Sequence, residues 1–375
     1  MKVYIEQIKE YSPEQLYQYF SNVVREDGLG EILVSKSSVL LKPNLLGSHK
    51  PEDAVTTHPV VIESLIRVLK DNGISNIFLG DSPGGTFRTE NVWQITGMKE
   101  LADKEGIELI NFGTDGIEKI TAGDFELMID KKVLQFPAII NIAKYKTHSL
   151  TMFTGAVKNL FGTVPGLIKS DYHRLYQDSE KFAELLVAIY QILKEQVVLN
   201  VIDGIWGMEG EGPSAGITRN FGVILASRSA SALDYTGAKM MGFISERIPT
   251  VRISMNADNI VPQDIEIDKE WQEFQFPKVK IGKVSLYSSF VNRVPKSIQN
   301  IFYHLYNYYP AFNKNCRLCR ICVDSCPVKA ITVEKGDTTP QIDYKICIKC
   351  MCCYEFCPHN AVYIKKTLLA KILLK

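Results

Sequence analysis

After residue 35 the chain alternates short, unbroken apolar runs with longer stretches in which apolar positions recur every three or four residues. "SVLLKPNLL" reads as a buried strand, "THPVVIESLIRVLKDNG" as a helix ending at Gly73, and "NIFLGD" as a strand. "TENVWQITGMKELADKEG" reads as one helix ending at Gly106, and "IELINF" as the strand after it. "AIINIAK", "VVLNVIDGI" and "GVILAS" are further strands, and "ASALDYTGAKMMG" is a further helix. Runs without polar alternation mark strands covered on both faces, so the expected class is α/β: a mostly parallel sheet with helices on both faces.

Sheets of this kind bind ligands beyond the carboxyl ends of their strands. Lys42, Pro43 and Asn44 follow "VLL", Asp81, Ser82 and "PGGT" follow "IFLG", Lys144, Lys146 and His148 follow "IINIA", and Asp203 and Gly204 follow "NVI". The densest stretch is "KYKTHSLTMFTGAVKNLFGTVPG". Its glycines, Gly155 among them, permit close backbone approach, and Lys144, Lys146 and Lys158 supply cationic donors suited to a phosphate or carboxylate. The expected catalytic candidates are His148, Lys158, Asp81 and Asp203, with one of the two aspartates handling a proton or a metal ion. Lys42, Asn44, Lys144, Lys146, Gly155, Asn159, His173 and Glu209 are the expected ligand-binding set. A basic surface loop with turn glycines is the plainer alternative. The loop "GMEGEGPSAG", which holds Glu209 and Glu211, is expected to be a mobile lid.

All nine cysteines lie between Cys316 and Cys357, a distribution that disulfide stapling of a large secreted domain would not produce. They form two runs of the pattern C-x2-C-x2-C-x3-C-P, "CRLCRICVDSCP" and "CIKCMCCYEFCP". This is the bacterial ferredoxin spacing, in which the fourth cysteine of each run reaches across to the other cluster. Two [4Fe-4S] clusters are expected: one on Cys316, Cys319, Cys322 and Cys357, the other on Cys347, Cys350, Cys353 and Cys326. Zinc is the weaker alternative, because its ligand pairs are not usually followed two residues later by a third cysteine. Cys352 fits neither set and is expected to be a small packed residue. The intervening "AITVEKGDTTPQIDY" suggests a short hairpin folding the two runs together.

Charge changes the picture only in the tail. From Asn313 to Lys375 the balance is +6, against −5 for the first 312 residues. Nucleic acid is not the expected partner, because two oxidised clusters with their thiolates bring about −4 and offset most of that excess. No dinucleotide fingerprint of the G-x-G-x-x-G kind and no phosphate loop is present, which argues against a nicotinamide cofactor; a flavin stays open, with no motif indicating one. The longest apolar stretch, "FAELLVAIYQIL", is too short to cross a bilayer. The expectation is a cytoplasmic protein without transmembrane segment, working with a redox partner protein, an anionic small-molecule substrate, or both. Peripheral membrane contact is not expected. The expected division is an α/β body over 1–285, an aromatic helical linker over 286–312, a ferredoxin domain over 313–366 and an amphipathic tail over 367–375.

The blocks "LLKPNLLG", "HPVVIESLIRVLKDNG", "GDSPGG", "NIAKYKTHSLTMFTGAVKNLFGTVPG" and "VIDGIWGMEGEGPSAG" resemble a family of unassigned function, domain-of-unknown-function family 362, often found fused to ferredoxin modules. The resemblance implies an iron–sulfur protein of redox character and supplies no substrate. Nickel-pincer lactate racemases are more faintly similar. They carry a His, then a Lys attached to the pincer nucleotide, then a nickel-ligating His, and His148, Lys158 and His173 fall in a similar order. The catalytic histidine those enzymes place after an earlier strand has no counterpart in "DSPGGTFR". Three functions therefore compete: an iron–sulfur oxidoreductase or its electron-delivering component, an electron carrier or binding module, and a non-redox isomerase with structural clusters.

Overall fold

The protein is described from a computed structural model that covers residues 1–269, 274, 276, 279–282 and 308–366. The body begins with β1 (Lys2–Gln7), β2 (Val39–Lys42), β3 (Ile77–Asp81) and β4 (Glu108–Asn111), followed by an outlying hairpin of β5 (Ile117–Ala122) and β6 (Phe125–Asp130). It continues with β7 (Ile139–His148), β8 (Met152–Thr154), β9 (Val197–Glu209), β10 (Ile217–Ser227) and β11 (Glu266–Ile267). The large sheet runs β11–β1–β10–β9–β7–β2–β3–β4, with β8 on β7. β4, β3, β2, β7 and β9 are parallel to one another, whereas β10 returns antiparallel to β9 and β1 antiparallel to β10.

Both faces of this sheet are covered. Val39 and Leu41 of β2 join one core with the helices Pro13–Glu26 and Pro59–Asp71, while Leu40 joins the other with the helices Ser179–Leu193 and Ala230–Met240. Successive strand residues point to opposite faces, so a strand buried on both must be apolar throughout. The helix Pro59–Asp71 shows how each crossover is specified. Pro59 opens it, the His58 imidazole accepts the Val60 N–H at 3.3 Å, and Ile62, Leu65, Ile66 and Leu69 form its buried stripe. Each of these side chains contributes about 1.5–3 kcal/mol on burial.

Two expected elements are corrected. The single helix over Thr89–Gly106 is two, Thr89–Ile95 and Met98–Glu105, because Gly97 takes a left-handed conformation (φ 75°) that ends the first. "KYKTH" is not a loop after β7 but its second half, fully buried, with its polar side chains met by neighbours described below.

The C-terminal region is ferredoxin-like, built from small antiparallel pairs. β12 (Tyr308–Phe312) pairs with β15 (Val362–Lys366), and β13 (Ile331–Thr332) with β14 (Gln341–Ile342), the hairpin between the two cysteine runs. Of the linker expected over 286–312, only 308–312 is described, and it is strand β12. The tail expected over 367–375 lies outside the described residues.

This module sits on the body. The Tyr354 hydroxyl donates to the Glu211 carbonyl at 2.7 Å, and the Thr86 N–H donates to Ser325 Oγ at 3.2 Å. The Phe356 ring covers Gly84 and Gly85 so closely that a Cβ on Gly84 would stand 2.3 Å from it. The expected mobile lid is instead this module's seat. Thr147 Oγ1 donates to the Gly210 carbonyl, and both the N–H and hydroxyl of Ser149 donate to the Gly212 carbonyl, pinning the loop to β7.

Candidate functional site

The polar end of β7 is built at period two. Lys144, Lys146 and His148 are buried and alternate with Tyr145 and Thr147. Lys144 pairs with Asp203 at 2.8 Å and donates to the Tyr11 hydroxyl at 2.8 Å. Asp203 also accepts the His58 N–H, and the Tyr11 ring stacks on His58 with centroids 3.6 Å apart. The group closes on itself, so Lys144 and Asp203 do not line the crevice described below. Glu209 pairs with Arg219 at 2.7 Å and accepts the Lys280 N–H, also away from it.

Lys146 opens a directional chain of amides. Its Nζ donates to Asn44 Oδ1 at 2.8 Å, Asn44 to Asn159 at 3.0 Å, Asn159 to Asn141 at 2.8 Å, and Asn141 to Asn200 at 2.9 Å. Asn200 ends the chain on the Arg228 carbonyl. Each amide presents its oxygen to one neighbour and its nitrogen to the next, which fixes the strand ends and the short helix Ala156–Asn159 as one unit. Buried Asp234 caps that helix by accepting the N–H groups of Ala156 and Val157. Gly155 gives the carboxylate its room, since a Cβ there would lie 2.1 Å from Asp234 Oδ1. Gly155 thus acts on Lys158 through the helix it precedes.

A crevice of about 470 Å³, counting its opening to solvent, lies where these elements meet the cluster module. Lys42 and Asp81 form an ion pair at 3.0 Å on its floor, and Asp81 also accepts the N–H groups of Leu45 and Ser82. Only glycine fits opposite, because a Cβ on Gly162 would stand 2.3 Å from Asp81 Oδ1. Lys158, Lys169 and His173 line the side wall, and Asn44 and Asn159 the end. Lys169 donates to the Ser82 and Pro83 carbonyls, and burial pulls its amine down to about 7, with Asp81 opposing. Burial brings the His173 imidazole, stacked on Phe182, down to about 3 and so keeps it neutral.

Glu355 and Phe356 of the cluster module complete the wall. Glu355 is buried, its Oε1 3.4 Å from His148 Nε2. His148 Nδ1 accepts the backbone N–H groups of Leu150 and Thr151, which places the proton of the neutral ring on Nε2, toward Glu355. Burial raises the Glu355 carboxyl to about 7, while Lys158 and Lys146 pull it down. Glu355 in turn acts on the thiols of Cys350 and Cys352, so the crevice and one cysteine set are electrostatic neighbours.

The structure brings the cysteines together crosswise. Cys316, Cys319, Cys322 and Cys357 ring one cavity, and Cys326, Cys347, Cys350 and Cys353 ring another, which Cys352 also lines. Burial, then Cys357, Cys319 and Cys316, push the Cys322 thiol up to about 12. Four thiols lining one cavity are the donor set of a polynuclear iron–sulfur group. The backbone fits too. Among the described residues, six of the nine positive-φ positions other than glycine lie here, Leu318, Arg320 and Lys329 repeating as Lys349, Met351 and Asn360, and the N–H groups of Leu318, Ala330 and Ala361 donate to cysteine sulfurs. Inward-turned amides of this kind stabilise electron-rich sulfur.

Sequence reasoning missed Glu355, Phe356, Lys169, Asn141 and Asn200. Glu355 is hidden between Cys353 and Cys357, two of the expected ligands, where a charge reads as module surface. Asn141 and Asn200 carried a usable signal, as amides inside runs otherwise fit for a fully buried strand.

Residues 39–239 match a family model described as a domain of unknown function, DUF362, and residues 315–361 match a 4Fe-4S dicluster domain. A thylakoid-associated protein of Synechocystis sp. is 31% identical over 226 residues, 60% of this chain and 69% of that one. Among solved structures, a protein from Thermotoga maritima superposes with a TM-score of 0.38 at 14% identity, over 55% of this chain and 54% of that chain. The lactate racemase apoprotein from Thermoanaerobacterium thermosaccharolyticum does so with a TM-score of 0.35 at 12% identity, over 52% and 49%. The chain thus spans about half the length of these two structures. No helix among the described residues is long and apolar enough to cross a membrane.

Proposed function

The chain belongs to the DUF362 family and ends in a 4Fe-4S dicluster domain, and on that premise we propose that it is an iron–sulfur oxidoreductase, or its electron-delivering component, acting on an anionic small molecule held in the crevice. Cys316, Cys319, Cys322 and Cys357 would hold one cluster and Cys347, Cys350, Cys353 and Cys326 the other. Bound there, the clusters supply one-electron steps at low potential. The supporting observation is Glu355: a residue of the cluster module, two positions from Cys353 and two from Cys357, that forms part of the crevice wall beside Lys158 and His148. A carrier serving only other proteins has no need of a cationic, two-domain cavity.

The body's residues divide the work. Lys158 and Lys169 face the ligand as donors, with Lys42 held in place by Asp81. His173, neutral and in the crevice lining, donates or accepts hydrogen bonds without adding charge, while His148 lies outside that lining, beside Glu355. Phe356 narrows the crevice on the module side and limits water there.

The test is reoxidation. The anaerobic protein is reduced with dithionite, freed of excess reductant and mixed with small anionic acceptors, while the visible absorbance of the clusters is followed. Recovery of absorbance with a small molecule supports the oxidoreductase; recovery only with a second protein replaces it with the carrier reading.

A pH dependence follows from Lys169. It faces Asp81 and Lys42 from the strand ends, Lys158 from the neighbouring helix, the Ser82 and Pro83 carbonyls, and Glu355 across the crevice. Below about 7 its amine is protonated and favours an anion; above it that charge is lost. Sulfate, whose charge is constant in this range, is therefore expected to bind more weakly as pH rises from 6 to 8, by up to about ten-fold per unit. Calorimetry at fixed ionic strength measures it, and Lys169→Met should make the profile shallower, leaving the part due to the Glu355 carboxyl, which burial also brings to about 7.

A further inference from the structure

We infer that the outward face of the β12–β15 ribbon, with the loop beside it, is a docking surface for an anionic lipid bilayer. This goes beyond the crevice reading, does not depend on it, and reverses the expectation that membrane contact is absent.

The face follows from the strand pairing. Tyr308, Phe312, Val362 and Ile364 pack into the module's core, so the residues alternating with them, Tyr309, Tyr363 and Lys365, point the other way. The loop before Cys347 adds Tyr344, Lys345 and Ile346. The Tyr344 hydroxyl donates to the Pro310 carbonyl at 3.0 Å, and its ring meets that of Tyr309 with centroids 5.2 Å apart, which ties the loop to the ribbon. Tyr344, Ile346 and Tyr363 are 47%, 48% and 44% exposed, so large apolar groups stand in water together here, and Lys345 and Lys365 are exposed among them. Lys349 Nζ lies 4.8 Å from the centre of the Tyr309 ring. The carboxylate beside them, Asp343, accepts the Lys345 N–H.

The sequence carries the same character onward from this ribbon. Tyr308 pairs with Lys366, so the stretch entering β12 and the stretch leaving β15 join it at one end. From Phe274 to Val323 the chain holds eight Lys and Arg and no Asp or Glu, and from Phe356 to Lys375 it holds four and none. Its last nine residues, "TLLAKILLK", include five Leu and Ile. Lysines without opposing carboxylates attract anionic headgroups, and tyrosine rings rest at headgroup depth with the apolar body inward and the hydroxyl in water. The phosphates of a nucleic acid would use the same cations but leave Ile346 and the leucines after Lys366 in water.

The experiment is flotation of the cluster-loaded full chain, kept anaerobic, with vesicles of phosphatidylcholine alone or of equal parts phosphatidylcholine and phosphatidylglycerol. The protein is expected to bind the anionic vesicles at least about ten-fold more tightly and to leave them as salt rises. Lys345→Glu with Lys365→Glu should remove most of that preference. Tyr344→Ser with Tyr363→Ser, which leaves the charge unchanged, should weaken binding by about ten-fold. All four side chains are exposed, and an iron content equal to the parent's shows that the module stays folded. Equal binding to the two kinds of vesicle, or anionic-vesicle binding within about two-fold of the parent in either double variant, overturns the inference. Tighter retention of a double-stranded oligonucleotide than of anionic vesicles also overturns it and assigns the cations to nucleic acid.

Discussion

Gly84→Val is expected to lift the cluster module off the body while each part keeps its own fold. A Cβ at this position would meet three atoms of the Phe356 ring at 2.3, 2.9 and 3.0 Å. The ring is held in turn over Gly85, beside Ser325, and cannot swing aside as the end of a flexible chain would. Overpacking of this kind costs about 1–3 kcal/mol, comparable to what the few hydrogen bonds across the contact contribute. Hydrogen exchange should rise at Gly84–Phe87 and Tyr354–Cys357 together, iron content should stay that of the parent, and reoxidation by a crevice-bound acceptor should slow by at least about 100-fold as the clusters move away. Phe356→Ala in the same chain should restore much of the docking, since it removes the colliding ring. Unchanged exchange in the single variant would show that the contact does not hold the two parts together.

Asn141→Leu should lower stability by about 3 kcal/mol or more, among the largest effects available to one near-isosteric change. The substitution leaves Asn200 Oδ1 and the Ala156 carbonyl without the donor they share, and Asn159 Nδ2 without its shortest acceptor. All lie at buried positions where water does not replace them. Because Asn159 links onward to Asn44 and Lys146, the loss should reach the crevice as well, with weaker anion binding in the protein that remains folded. Denaturant unfolding gives the stability and calorimetry the affinity. A change below about 1 kcal/mol would mean that the amide chain is a set of independent contacts.

The body's architecture was legible because its strands are apolar without interruption and its helices carry one apolar stripe each. Those patterns dictate which faces are buried, and hence a parallel block covered on two sides. Three features escaped for physical reasons. β7 runs on through Lys144 and Lys146 because partners from other segments, Asp203, Tyr11, Asn44 and Val55, satisfy their amines, and no local pattern announces partners so distant in sequence; His148 at its end accepts the nearby Leu150 and Thr151 N–H groups. The break at Gly97 depends on a backbone conformation that glycine allows but does not compel. The seat formed by Gly210–Gly216 looks like a free loop until the cluster module is placed on it.

The site was half legible. Cysteine spacing alone indicated which thiols share a cavity, because ferredoxin geometry is local and repeated. Lys42, Asn44 and Asp81 were expected from their place after the strands and Lys158 from the glycine- and lysine-rich stretch, and all four line the crevice, whereas Lys144 and Asp203, which share the first signal, and Glu209 of the expected lid spend their charges on one another or on neighbours. Glu355 needed the docking of two parts, which a linear pattern does not encode.

That docking also gives the most direct test of whether the clusters serve the crevice. In an anaerobic redox titration followed by electron paramagnetic resonance, saturating sulfate, with binding verified by calorimetry, should lower the potential of one cluster and leave the other nearly unmoved, because negative charge beside Cys350 disfavours an added electron. The shift should vanish in Gly84→Val. Identical potentials with and without bound sulfate would contradict the account, and would leave the clusters and the crevice as separate devices on one chain.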